Sequence, residues 1–91
     1  MFEVEWRERA RRNLAKLARR NPEIAQDIYE KVHWLAENAE RVAHERLHGH
    51  TESSLHSGQY RIPYLVDRAN QRIIVEDVDK HDAAYRSLKR R

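Results

Sequence analysis

The sequence predicts an α+β domain in which one curved antiparallel sheet packs against a helical hairpin. Three observations carry this: residues 2–6 alternate with a period of two, residues 7–38 switch to a helical period, and the strand period returns beyond residue 54. Phe2, Val4 and Trp6 alternate with Glu3 and Glu5, so a short half-buried strand comes first. Ala10, Leu14, Leu17 and Ala18 then share one face of a first helix, with Arg11, Arg12, Lys16, Arg19 and Arg20 mostly off it. Asn21 offers an N-cap oxygen, Pro22 suits the first helical position, and Glu23 suits the positive end of the helix dipole. A second helix therefore starts there, striped by Ile24, Ile28, Val32 and Leu35 and ending near Asn38. The tight connection makes the pair an antiparallel hairpin. From Arg41 to Ser57 we expect a loop with a short strand near Ser54–His56. After a turn at Gly58, Tyr60, Ile62, Tyr64 and Val66 alternate along a further strand, where Pro63, lacking an N–H, predicts a bulge or an unpaired edge. Asp67–Gln71 reads as a turn, Ile73–Val78 as the last strand, and a short helix closes the order β-α-α-β-β-β.

At 91 residues the chain is one domain, 1–91, with room for one modest core. The formal charge of +3 lies in the C-terminal half: residues 1–45 hold nine Lys or Arg against nine Asp or Glu, and residues 46–91 hold nine against six. A basic half suits a phosphate backbone or an acidic peptide, and equally suits ordinary solubilisation. With no cysteine, disulfides, thiol catalysis and cysteine zinc sites are excluded. No apolar run approaches the roughly 20 residues of a membrane span, and no signal peptide opens the chain, so we expect a cytoplasmic protein with no membrane association.

Arg61 falls on the strand face opposite Tyr60, Ile62 and Tyr64. A strand-held arginine offers a fixed fork of donors to a phosphate; the alternative is a solvated charge paired with a carboxylate such as Asp77. His81 and Tyr85, four apart, would share one side of a short helix, flanked by Lys80 and Arg86. Cleaving RNA at its 2′-hydroxyl needs a base, cations for the pentavalent phosphate and an acid for the departing 5′-oxygen. Histidine can take either proton-transfer role, and tyrosine can donate a proton or stack on a base; a polar helix cap is the structural alternative. His44, His48, His50 and His56 lack further ligands at a familiar spacing, so we expect surface histidines, no metal and no cofactor. Glu45 is either solvated or a base. The cations of the first helix read as a solvated face, and Lys89, Arg90 and Arg91 as electrostatic attraction for RNA.

Together, the order of elements, Leu47-His48-Gly49, the run Ser57-Gly58-Gln59-Tyr60-Arg61-Ile62-Pro63-Tyr64 and the ending Val78-Asp79-Lys80-His81-Asp82-Ala83-Ala84-Tyr85-Arg86 resemble the RelE/ParE superfamily of bacterial toxins, especially its RelE-like branch. The resemblance implies a RelE-like fold and a small ribonuclease that enters the ribosomal A site, cuts messenger RNA without a metal, and is neutralised by an antitoxin wrapped around it. It implies that Arg61 stabilises the phosphate and that Tyr85 belongs to the active site. His81 stands where relatives often have arginine, while some branches use a nearby histidine as the acid. Relatives of the best-known type place lysines before the Ser-Gly turn, where this chain has Glu52, Ser53, Ser54 and His56. Glu45 lies where another branch uses a glutamate as general base, with His56 and His48 as alternatives; His48 and Lys80 join the basic residues expected to meet RNA. The implied partners are a cognate antitoxin, the ribosome with its mRNA, and operator DNA through the antitoxin complex only. Two other readings stay open: a ParE-like inhibitor of DNA gyrase, and a non-catalytic member acting in antitoxin or operator binding.

Overall fold

Glu3–Trp6 form the first strand, β1, and its alternation has the expected result: Phe2 is buried, and Val4 and Trp6 pack on the core. The computed structural model describes residues 1–44 and 52–80. Helix α1 (Glu8–Arg20) buries Ala10 and Leu17. Ala18 is exposed rather than part of that face, because it stands about 100° round the helix from Leu17. Helix α2 (Pro22–Glu37) begins where expected: the Asn21 side chain accepts from the Ile24 N–H at 3.4 Å, and Asn38 closes the far end by bonding back to Trp34 and Leu35. Its buried stripe is Ala25, Ile28, Val32, Leu35 and Ala36.

The remaining strands are β2 (Ser53–Ser57), β3 (Tyr60–Asp67), β4 (Arg72–Val75) and the two-residue β5 (Asp79–Lys80). The sheet order is β1-β4-β3-β2, with β5 on β3 beyond the end of β4. Strands β2, β3 and β4 are antiparallel neighbours joined by tight turns, but β1 runs parallel to β4, so the sheet is mixed rather than wholly antiparallel. A turn forces adjacent strands to reverse; β1 reaches β4 only after two helices and two strands and is free of that constraint.

The run Ile73–Val78 is not one strand. Tyr64 pairs with Val75 and Arg61 with Asp79, so Ile62 and Pro63 on β3 face three residues, Glu76, Asp77 and Val78. This is a bulge with one extra residue on the β4–β5 side. Pro63 has no N–H to offer there, while its carbonyl accepts from the Glu76 N–H at 2.8 Å. The disturbance expected at the proline is thus present and is absorbed by the opposing strand.

Ile62, Tyr64, Ile73, Val75 and Val78 meet Ile28, Val32, Leu35 and Ala36 of α2 in one core. By alternation the other sheet face should be open, yet Pro63 and Ile74 on it are buried as well. The C-terminal helix expected from sequence lies outside the described residues.

Candidate functional site

The β2–β3 hairpin turns at Gly58, whose φ of 58° is left-handed and favours glycine although nothing would obstruct a side chain there. This turn sets the register in which His56 lies directly opposite Arg61. The two side chains share the face away from the helices, and Arg61 Nη2 stands 2.7 Å from His56 Nε2. A guanidinium can only donate, so His56 Nε2 accepts and the imidazole carries its proton on Nδ1. On the other side of β3, Arg61 faces Asp79 and Tyr60 faces the exposed Lys80.

Two arginines on the sheet bury an Nε that has no hydrogen-bond partner, Arg61 and Arg72. They differ in what meets the rest of the fork. Arg72 reaches Glu5 at 3.0 Å and Asp67 at 3.6 Å and is neutralised. Arg61 makes no ion pair among the described residues; its partner is a neutral imidazole. Asp77, the carboxylate that could have claimed it, instead accepts from Asn13 Nδ2 at 2.7 Å and from the Val78 N–H, with Arg9 at 3.9 Å. The bulge carries Asp77 away from Arg61, so the solvated ion pair allowed by the sequence does not form. A half-buried guanidinium with an unmet donor and no ion pair among the described residues is suited to accept an anion.

Of the other residues singled out by sequence, Lys80 is on β5 at the same end of the sheet as Arg61, and His56 is at hydrogen-bond distance from it. Glu45, His48, His81, Tyr85, Arg86, Lys89 and Arg90 lie outside the described residues. Among the described residues no group of three or more His, Cys, Asp or Glu could hold a metal, and no helix is long and apolar enough to cross a membrane.

Two networks escape a reading of the sequence because their partners are distant along the chain. Ser57 Oγ donates to Asp27 Oδ2 at 2.6 Å, and Lys31 Nζ lies 3.4 Å from the same oxygen. The Ser57 hydroxyl, with Lys31 beside it, holds the Asp27 carboxyl below its usual range. Asp27 and Ser57 border a cleft of about 460 Å³ lined also by Glu23, Ile24 and Tyr60, and Arg61 is not among its lining residues. His44, expected at the surface, is half-buried, with Nδ1 2.7 Å from the Tyr64 hydroxyl.

Burial pushes the Tyr64 phenol from 10.0 up to about 12, partly offset by a hydrogen bond from Ser53. The native state therefore holds this proton after the unfolded chain has released it. The stability linked to it is full below pH 10 and declines as pH rises toward about 12. The loss should be about 2 to 3 kcal/mol. Denaturant titrations at pH 9 and 11.5 should show it in the native chain and not in Tyr64→Phe; equal losses in both would refute it.

Residues 4–85 match the family described as the ParE toxin of type II toxin-antitoxin systems, parDE. The chain belongs to this family of toxins. Its fold is shared across the wider RelE/ParE superfamily. A chain of the RelBE2 toxin-antitoxin complex from Mycobacterium tuberculosis is 27% identical, with a TM-score of 0.70 over 88% of this chain and 98% of that one. The isolated E. coli RelE toxin is 20% identical, with a TM-score of 0.74 over 99% and 98%. A chain of the YoeB-YefM complex from Staphylococcus aureus is 14% identical, with a TM-score of 0.67 over 89% and 98%. The last two likenesses concern the fold alone. No curated protein sequence matches the chain.

Proposed function

We propose that this ParE-family toxin is a metal-independent endoribonuclease that cuts messenger RNA on the ribosome. The observation that carries the reading is Arg61, a strand-fixed guanidinium with an unmet buried donor, no carboxylate partner and an imidazole at 2.7 Å. A scissile phosphate bound by the fork gains charge-assisted hydrogen bonds that strengthen as negative charge builds on the pentavalent phosphorus. Drawing Nη2 onto a phosphate oxygen releases the lone pair of His56 Nε2, which can then take the proton of the RNA 2′-hydroxyl. The 2′-oxygen bonds to phosphorus, the bond to the 5′-oxygen breaks, and that oxygen takes a proton from His81 or Tyr85, leaving a cyclic phosphate and a 5′-hydroxyl. Glu45 is the alternative base, and Lys80, His48, Arg86, Lys89 and Arg90 add phosphate contacts.

In this reading the toxin works in the cytoplasm, where a cognate antitoxin holds it inactive; RelBE2 and YoeB-YefM, each with a chain that shares its fold, are toxin-antitoxin complexes. Operator DNA is reached only through that complex. The ParE description of the family supports a second reading, inhibition of DNA gyrase through binding. One experiment separates them. Purified toxin added to a translating extract should cut mRNA within codons and leave gyrase supercoiling unaffected. Intact mRNA with blocked supercoiling would establish the second reading in its place.

A further inference from the structure

We infer that Asn13 of α1 is a positioning residue for the RNA site: its amide braces the bulge at residues 76–78 through the buried Asp77 carboxylate, and the braced bulge holds β5 against Arg61; this rests on the ribonuclease reading. Asp77 is only 3% exposed. A carboxylate buried this far is costly unless donors meet its oxygens. Oδ1 takes two of them, Asn13 Nδ2 at 2.7 Å and the Val78 N–H at 2.8 Å. Oδ2 lies 3.9 Å from Arg9 Nη1. Arg9 and Asn13 are four apart on α1 and so share one side of the helix, the side that meets the bulge.

Of these contacts the Asn13 bond does most to fix the bulge. The Val78 N–H belongs to the next residue, so its bond turns the Asp77 side chain without tying the bulge to another element. The Arg9 pair is long and the arginine side chain is 60% exposed, which leaves the attraction weak in water. The Asn13 bond is short and joins the bulge to a helix 64 positions away along the chain. It supplements a thinned ladder. On the β3 side the Glu76 N–H bonds to the Pro63 carbonyl at 2.8 Å, and Pro63 has no N–H to return.

From the bulge the effect passes to the site along the backbone. Pairing with β3 resumes with Asp79 opposite Arg61 and Lys80 opposite Tyr60. At two residues β5 is shorter than a usual strand, so its place on the sheet depends on how the bulge leads into it. That place settles how near the Asp79 carboxylate and the Lys80 ammonium stand to a phosphate held by Arg61. Asn13 itself cannot meet that phosphate: α1 packs on the core face, where Ala10 and Leu17 are buried, while the Arg61 fork lies on the other with His56. Its influence on cutting must be exerted through position. Reaction rates are sensitive to such placement, with misplacement of about 1 Å costing about a hundredfold.

Three variants of the full chain test this. Asn13→Leu keeps the bulk and removes the donor; Asn13→Ala removes both; Asp77→Asn keeps an amide oxygen to accept from Asn13 and from the Val78 N–H. Amide hydrogen exchange should quicken about tenfold in peptides covering 76–80 in Asn13→Leu and Asn13→Ala, and stay unchanged in α2 and β1. The maximal cutting rate on programmed ribosomes should fall about tenfold in the same two variants at an unchanged half-saturating ribosome concentration, and Asp77→Asn should stay within about threefold of the native chain. Unchanged exchange over 76–80 would overturn the brace. Faster exchange with an unchanged cutting rate, or an equal acceleration in α2, would overturn the positioning role. A tenfold loss of cutting in Asp77→Asn would assign the effect to the charge of Asp77 and overturn the part given to the Asn13 bond. A native chain that cuts no RNA would bring down the ribonuclease reading together with the positioning role that rests on it, and the exchange measurement would still decide the brace.

Discussion

Arg61→Ala should lower the rate of mRNA cutting about a hundred- to a thousandfold, the usual consequence of removing one fixed donor from a developing oxyanion. The loss should appear in the cutting step itself, because the guanidinium is needed most when phosphorus carries its extra charge. Arg61→Lys should recover little. An ammonium supplies a charge without the planar fork, and a lysine stem would not keep the geometry that β3 imposes on the arginine. Removing Arg61 should also leave the folded state nearly as stable as before. Its Nε is buried without a partner and the residue makes no ion pair among those described, so the substitution discards an unmet buried donor and gives up only the exposed hydrogen bond to His56. Cleavage assays in a translating extract, run beside thermal melts, check both halves. Cutting within a few-fold of the native rate would remove Arg61 from the site.

Ile62→Ala should do the reverse at the next residue. Ile62 is fully buried at the centre of β3 against the α2 stripe. Truncation leaves a cavity in a packed core and should cost about 2 to 5 kcal/mol. A domain of this size holds only about 5 to 15 kcal/mol in total, so Tm should fall by roughly 15 °C or more. Calorimetry measures it directly. A shift of only a few degrees would mean that the core closes around the smaller side chain. The two neighbours should therefore separate cleanly: one loses activity with its stability kept, the other loses stability.

Where a signal is local, the sequence discloses it. The helical hairpin follows from Asn21, Pro22 and two apolar stripes, and Ile28, Val32 and Leu35 of the α2 stripe are buried as expected, while Ile24 at its start is only partly covered. The face assigned to Arg61 follows from simple alternation, and the Gly58 turn brings His56 opposite it. What the sequence could not disclose depends on contacts between distant segments. The parallel pairing of β1 with β4 is settled by how the sheet closes, and no periodicity within either strand encodes it. The pairing of Tyr64 with His44 spans twenty positions and has no motif. Likewise, Asp77 is a plausible partner for Arg61 by composition, and only the extra residue opposite Pro63 turns it toward Asn13 instead.

That extra residue has a wider meaning. Continued without interruption from the Tyr64–Val75 pair, the ladder would set Val78 opposite Arg61 and turn Asp79 toward the core. As built, Val78 is buried and Asp79 stands beside the arginine. Because side chains on a strand change sides at every step, the bulge acts as a phase setting for β5. Substitutions there can retune the surroundings of Arg61 one side chain at a time, whereas losing a single codon between residues 76 and 78 would exchange the inner and outer faces of that edge at once. In this small toxin, the charge beside the arginine is governed by a count of residues as much as by their identity.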